Sequence, residues 1–281
     1  MPASPEDSIR YSILDPTGNI TALVESSVEV REQPEVAAAI MERHPEVEQV
    51  GFLSLGEEEG EGVAASLRMA GGEFCGNASL CAATLYCMRE GLEPKEDQDV
   101  WLCVSGAHNR VGVRLHKDGA GYRAGIRMPE ALKVEQVELQ FGGESGLLTL
   151  VRMEGISHLV IPPTSSFHTL LERREAAELA VRTWCEELSA EGLGLMFVSG
   201  DGEARTLVPL VFVSCGETLF WENSCASGSS AVAISLAREA ASVVDVTFDE
   251  PGGTLRVTSD PETGETWLFG NVVPILEGQA L

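Results

Sequence analysis

Three features of this 281-residue chain argue for an α+β protein built from two halves of like fold. Strand-type and helix-type patterns succeed each other through the whole length. The order sheet, amphipathic helix, sheet, cysteine at the mouth of an apolar helix, more sheet occurs twice, once on either side of about residue 129. The length suits two domains of ordinary size, and 44% hydrophobic with 22% charged residues is a globular composition that fills a core in each.

The elements of the first half follow from local chemistry. Tyr11 to Val24 reads YSILDPTGNITALV, two β-type runs around a Pro-Thr-Gly-Asn turn, which predicts a hairpin. Residues 34–43 (PEVAAAIMER) carry helical spacing with Pro at the start, where its missing N–H is no loss. Residues 47–54 return to strand character, the acidic and Gly-rich 55–62 reads as a loop, and 63–70 as another strand. CGNASLCAATLYCMREG then places small and apolar residues at helical spacing, predicting a helix from about Asn77 to Glu90 that stops at Gly91. Strands fill 99–128, broken by Gly-rich and Asp-Gly turns, and the domain boundary falls near Pro129.

In the second half, strands at about 133–152 lead into EGISHLVIP, and a charged amphipathic helix spans roughly 168–189. More strands cover 193–221, SCASGSSAVAISLAREA forms a second small-residue helix, and strands follow at 243–248, 253–258 and 266–275.

The 44 acidic and 19 basic residues give a net charge of -25, a field that repels phosphate backbones and anionic lipid, so neither nucleic acid nor membrane is an expected partner. Acidic runs at 5–7 and 56–62 read as solvated surface. The first 30 residues lack a basic and then apolar leader pattern, and no stretch approaches the roughly 18 apolar residues of a membrane span. A cytoplasmic location is expected. Seven cysteines, an odd number without paired C-x-x-C spacing, point to reduced thiols and away from structural zinc.

The chemistry concentrates in two turns, EFCGNAS at 73–79 and NSCASGS at 223–229. Each sets a cysteine just ahead of small residues that open an apolar helix. A helix N-terminus presents unpaired N–H groups and partial positive charge, which stabilise a thiolate and bind a carboxylate. Cys75 and Cys225 stand 150 positions apart, one in each repeat, and so predict two helix mouths facing across an interdomain cleft. Racemisation needs that arrangement: one group removes a proton from one face of a carbon and another delivers a proton to the opposite face. The helix dipoles supply carbanion stabilisation in a site closed to water. Gly76 and Asn77 at the first mouth, and Ala226 and Ser227 at the second, are the matching substrate-binding candidates. No lysine stands in a pyridoxal-type setting and no phosphate-binding glycine motif occurs, so no cofactor and no metal is expected. Cys81, Cys87, Cys103, Cys185 and Cys215, on helix faces or strands, read as core. His44, His108, His116 and His168 lack ligand spacing and read as surface.

Together these motifs resemble the diaminopimelate epimerase and proline racemase superfamily, over nearly the whole chain. TGN at 17–19 is similar to its N-terminal substrate turn, CGN at 75–77 and CASGS at 225–229 to its catalytic turns, and SHLVI at 157–161 to the segment bearing its active-site histidine. Diaminopimelate epimerases place a Glu-Arg pair ahead of the second cysteine, whereas WENSCASGS carries Glu222 three residues before Cys225 and no Arg. The turn at 15–19, EQVGF at 48–52, the EFCGNA and WENSC runs and PGGTLRVTS at 251–259 resemble instead the histidine racemases of staphylopine-type metallophore biosynthesis. That resemblance implies a free amino-acid substrate, histidine first, and allows a homodimer.

The resemblance also assigns supporting residues. Asn19 is either a self-capping turn residue or a substrate contact. Glu48 and Gln49 either face solvent or line the side-chain pocket, where a carboxylate accepts an imidazole N–H. His158 should face the cleft, and Glu222 either caps the helix entrance or orients the amine and tunes the thiol. The expected fold is α+β and diaminopimelate epimerase-like, with two pseudo-symmetric domains, 1–128 with a returning strand at about 271–281, and 129–270. Each would be a mostly antiparallel sheet around a central helix.

Overall fold

The computed structural model describes residues 9–56, 62–214 and 217–281, so the acidic segments 5–7 and 57–61 and Cys215 lie outside the described residues. Contacts divide the chain into two compact units, Met1–Arg127 with Phe269–Leu281, and Met128–Leu268.

The first unit opens with the hairpin of β1 (Arg10–Pro16) and β2 (Thr21–Val24), Tyr11 opposite Val24 and Leu14 opposite Thr21. Its turn holds Thr17 and Gly18 at positive φ, 67° and 94°, and the Gly18 N–H donates to the Asp15 carboxylate. Helix α1 (Gln33–Arg43), with Pro34 in its first turn, buries Val36, Ala37 and Ile40 and packs against β3 (Gln49–Leu55). β2 and β3 are parallel, so a crossover is required and α1 provides it. β4 (Ala65–Met69) turns back antiparallel on β3 and runs parallel to β5 (Gln98–Val104). Helix α2 (Gly76–Arg89) makes that second crossover. β6 (Val111–Asp118) and β7 (Gly121–Arg127) complete a meander.

The last strand of the chain, β16 (Thr266–Ala280), pairs with β7 and also with β1, Arg10 opposite Ala280 and Pro16 opposite Val272. Eight strands therefore close into a barrel, which leaves no unpaired edge. α2 packs against all of β1 to β7, and every residue from Gly76 to Leu85 is buried. Gly76, Ala78, Ser79, Ala82 and Ala83 make the helix thin enough to be enclosed by the strands.

The second unit begins with the long hairpin β8 (Lys133–Phe141) and β9 (Glu144–Arg152), followed by β10 (Ser157–Ile161), antiparallel to β9. Helix α3 (Arg174–Glu187) crosses over to β11 (Gly192–Ser199), parallel to β10. β12 (Ala204–Val213) pairs antiparallel with β11 and with the short β13 (Thr218–Trp221). The buried helix α4 (Ala226–Ala240) then leads to β14 (Val244–Glu250), parallel to β12, and β15 (Gly253–Ser259) hands the chain to β16. α3 buries Ala177, Ala180, Val181 and Trp184 in a core with Leu139, Leu150, Leu159 and Phe197. Trp184 meets Phe167 edge-on, ring centres 5.0 Å apart.

Several expectations need correction. The single helix expected over 168–189 is two elements, a 3-10 helix Ser166–Glu172 and then α3, separated by Arg173 at φ -117° and ψ 68°. Phe167 and Leu170, three residues apart, face the core together at the 3-10 period, and the α-helical stripe starts only at Ala177. The strand expected at 266–275 and the returning strand expected at about 271–281 are one continuous element, β16, ending at Ala280. Cys103 is half-buried, unlike the fully buried Cys81, Cys87 and Cys185. His44 and His168 are not simple surface residues. Tyr11 Oη lies 2.8 Å from His44 Nε2, and His168 Nε2 lies 3.0 Å from the Val198 carbonyl. Among the described residues no helix is long and apolar enough to cross a membrane.

Candidate active site

In the first unit the site is built at the mouth of α2. Cys75 is its N-cap, in extended conformation, and its Sγ accepts the Ala78 N–H at 3.4 Å. A thiol replaces the usual Ser or Asp cap oxygen, so the capping atom is also a nucleophile and an acid. Ser79 Oγ donates to the Cys75 carbonyl at 2.7 Å, fixing the backbone below the thiol. On the other side, Cys75 Sγ donates to Gln49 Oε1 at 3.0 Å. Gln49 is oriented for this because its amide nitrogen donates to Thr21 Oγ1 at 2.7 Å, and Thr21 donates in turn to the Asn19 carbonyl at 2.9 Å.

Asn19, 6% exposed, extends the network: its Nδ2 donates to Glu48 Oε2 at 2.6 Å and its Oδ1 accepts from Asn77 Nδ2 at 3.2 Å. Glu48 stands one residue ahead of β3, held by its N–H to the Ile20 carbonyl at 2.9 Å. Thus Asn19, Glu48, Gln49, Cys75 and Asn77, with Gly76 between the last two, form one connected polar cluster at the end of the buried helix. Thr21, in mid-hairpin, was missed by sequence reading, because a threonine in an apolar strand carries no functional signal of its own. Cys81 lies further along α2, and burial pushes its thiol well above the ordinary range.

The second unit repeats the arrangement with different supports. Cys225, 5% exposed and extended, is the N-cap of α4, and its Sγ accepts the Gly228 N–H at 3.4 Å. Its Sγ stands 3.7 Å from Ser227 Oγ, which lies 3.0 Å from His158 Nε2. His158 is fully buried on β10, and burial pushes it down to about 3, so the imidazole is neutral at physiological pH. Its Nδ1 has no hydrogen-bond partner among the described residues. Gly194, directly opposite on β11, makes the room, since a Cβ there would lie 2.3 Å from that Nδ1.

Two carboxyl groups flank Cys225. The backbone N–H of Glu222 donates to the Pro209 carbonyl at 3.1 Å, and Trp221 beside it is locked by Nε1 donating to Glu178 at 2.9 Å and by stacking on Phe197. Glu250, 6% exposed at the end of β14, accepts the Cys225 N–H at 2.8 Å and bonds the Ser229 hydroxyl with its other oxygen. Burial first, and then the charge and hydrogen bonding of Glu222, push the Cys225 thiol well above its usual range. Burial likewise lifts Glu250 to about 8 against the lowering pull of its Ser229 and Cys225 bonds. Sequence reading missed Glu250. Its signal was the strand alternation, for Val246, Phe248 and Glu250 share the buried face of β14.

All the residues expected from sequence thus fall into two groups: Cys75 with Asn19, Glu48, Gln49, Gly76 and Asn77, and Cys225 with His158, Glu222, Ala226 and Ser227. Each group pairs a thiol with the first turn of a helix, whose leading amides have no intrahelical acceptor.

Solved structures of the same fold include a predicted epimerase from Pseudomonas aeruginosa, with a TM-score of 0.68 at 17% identity, covering 98% of this chain and 99% of that one. A probable proline racemase from Agrobacterium radiobacter has a TM-score of 0.65 at 13% identity, covering 97% and 93%. The fold is therefore that of the epimerases and proline racemases, and its closed eight-stranded barrel is the first unit. Among curated proteins, a histidine racemase of Staphylococcus aureus is 30% identical over 278 residues, 97% of either chain, and one of Fusobacterium nucleatum is 30% identical over 274 residues, 95% of this chain and 94% of that one. Residues 8–273 match the family described as the histidine racemase CntK N-terminal domain. On full-length similarity, fold and the two cysteine-capped helices together, the chain belongs to the histidine racemase family, and the enzyme is an isomerase.

Proposed function

We propose that this enzyme interconverts L- and D-histidine without a cofactor, using Cys75 and Cys225 as the two acid-base groups. The observation that carries the reading is the twin N-cap: each thiol sits at the mouth of a buried helix, with its sulfur held by the amide three residues on. In this reading the two mouths face each other across a cleft between two pseudo-symmetric domains. The substrate carboxylate binds to first-turn amides of Gly76, Asn77, Ala226 and Ser227, whose dipoles take up the charge that develops as Cα–H is broken. One cysteine, as thiolate, removes the Cα proton; the other, as thiol, delivers its proton to the opposite face, and the roles exchange for the reverse direction.

Glu48 supports histidine as substrate. It is a half-buried carboxylate held against Asn19, suited to accept an imidazole N–H. A dicarboxylic substrate would instead require a cation here, and Glu48 repels a second carboxylate. The six free cysteines among the described residues support a reducing, cytoplasmic location, the family resemblance supports a role in metallophore biosynthesis, and the superfamily supports a homodimer.

The test is proton NMR of L-histidine in D2O. Wild-type enzyme should exchange the Cα–H and form D-histidine, while Cys75→Ser and Cys225→Ser should each lose racemisation by at least about a hundredfold. Normal racemisation by either variant would overturn the two-cysteine mechanism, and exchange of a different amino acid in preference to histidine would overturn the substrate.

A further inference from the structure

We propose that Glu250 is a positioning residue for Cys225, supplying from a distant strand the carboxyl group that a helix N-terminus ordinarily takes from its own third residue. In a capping box the N-cap side chain accepts the N3 amide while a Glu at N3 reaches back to the N-cap N–H. Helix α4 keeps the first half, with Cys225 Sγ accepting the Gly228 N–H at 3.4 Å. The second half cannot come from N3. That residue is Gly228, and even a Cβ there would lie 2.2 Å from Met196 Sδ and 3.1 Å from Cys225 Sγ. The glycine keeps the space around the thiol clear, at the cost of the reciprocal bond.

Glu250 restores it. Its Oε2 accepts the Cys225 N–H at 2.8 Å and its Oε1 bonds Ser229, one residue past N3, so one carboxyl group spans the first turn. The bridge is anchored at both ends. Glu250 closes β14, and the adjoining turn donates Gly252 N–H to the Asn223 carbonyl at 2.8 Å, tying the same turn to the loop that carries Cys225. A 6% exposed carboxyl group is expensive to keep merely as filler, and an apolar side chain would pack at that position beside Val246 and Phe248 without the desolvation cost. What the carboxyl group alone does is fix the rotation of the Cys225 peptide, and with it the direction of the Cα–Cβ bond that carries Sγ.

This inference rests on Cys225 being an acid-base residue, and its test separates the two ideas. Glu250→Gln preserves the shape, an oxygen for the Cys225 N–H and an NH2 for Ser229. Glu250→Ala removes both bonds, and Glu250→Asp, one methylene short, replaces alanine should alanine not fold. Alkylation by iodoacetamide, read separately at Cys75 and Cys225 by peptide mass spectrometry, and steady-state histidine racemisation are measured on each folded variant. Expected for Glu250→Ala or Glu250→Asp is alkylation of Cys225 faster by on the order of tenfold, as the buried thiol loosens and becomes accessible, with Cys75 unchanged. Racemisation kcat should fall on the order of 10- to 100-fold with KM within about threefold, and Glu250→Gln should restore both readouts to near wild type. Equal acceleration at both cysteines, wild-type alkylation in Glu250→Ala or Glu250→Asp, or a Glu250→Gln variant as impaired as those two would overturn the proposal. Should the wild type not racemise histidine, the proposed function fails, while the contrast in Cys225 alkylation still decides the role of Glu250.

Discussion

His158→Gln should remove a specific part of the acid sensitivity of this protein. The imidazole is completely buried, and burial holds it near 3 in the folded chain against 6.5 when solvated. Between those values the unfolded chain binds a proton that the folded chain refuses, so the neutral histidine's stabilising contribution is complete above 6.5 and is lost as pH falls toward 3. Integrated over the window, the loss reaches about 5 kcal/mol, of which about 2 kcal/mol has gone by pH 5. Urea unfolding at pH 7.5 and 5.0, with and without the substitution, isolates this contribution because every other titrating group is common to both proteins. The wild type should lose about 2 kcal/mol more than His158→Gln over that interval. Equal losses would refute the reasoning, and would mean that the histidine takes up its proton in the folded state at an ordinary pH.

Glu250 should behave in the opposite sense. Raised to about 8 from 4.5, it keeps its proton in the native state while the unfolded chain gives it up, so its contribution is complete below 4.5 and is lost as pH rises to 8. From pH 5 to 7.5 the wild type should therefore lose about 3 kcal/mol that Glu250→Gln retains, and parallel urea curves would contradict this. Gly194→Ala drives a methyl group to 2.3 Å from His158 Nδ1 and should cost about 1–3 kcal/mol, lowering the calorimetric Tm by several degrees; an unchanged Tm would show that the imidazole moves freely. Glu25 accepts from Arg89 Nε at 2.6 Å and Nη2 at 2.8 Å in a half-buried pair, so Glu25→Ala should destabilise by about 2–3 kcal/mol, and a loss below about 0.5 kcal/mol in urea would assign the pair no structural role.

The parts of the fold that were legible in sequence are those set by local chemistry. The Pro-Thr-Gly-Asn turn made the first hairpin legible because Gly18 readily takes the positive φ of 94° found there, while the positive φ of β-branched Thr17 was not to be read from sequence. The two small-residue helices were legible because a cysteine followed by Gly, Ala and Ser reads as a cap whichever fold surrounds it. What was not legible depends on distant partners. Arg173 interrupts the helix because Phe167 and Leu170 find core neighbours at one period and Ala177 to Trp184 at another, a choice made by the sheet beneath them. Thr21 matters through Gln49, and Glu250 through a cysteine 25 residues earlier, and neither pairing leaves a spacing signature.

The closing stave of the barrel is the final strand of the chain. Arg10 finds Ala280 as its partner, 270 positions later, so the first unit cannot seal around α2 until residue 280 has been made. The second unit, complete at Leu268, has no such dependence. The order of synthesis and the order of completion are thus reversed: the half made first waits, with its central helix incompletely enclosed, for the half made second to deliver the missing strand. Loss of β16 would accordingly harm the domain at the other end of the sequence, the one whose central helix Cys75 caps.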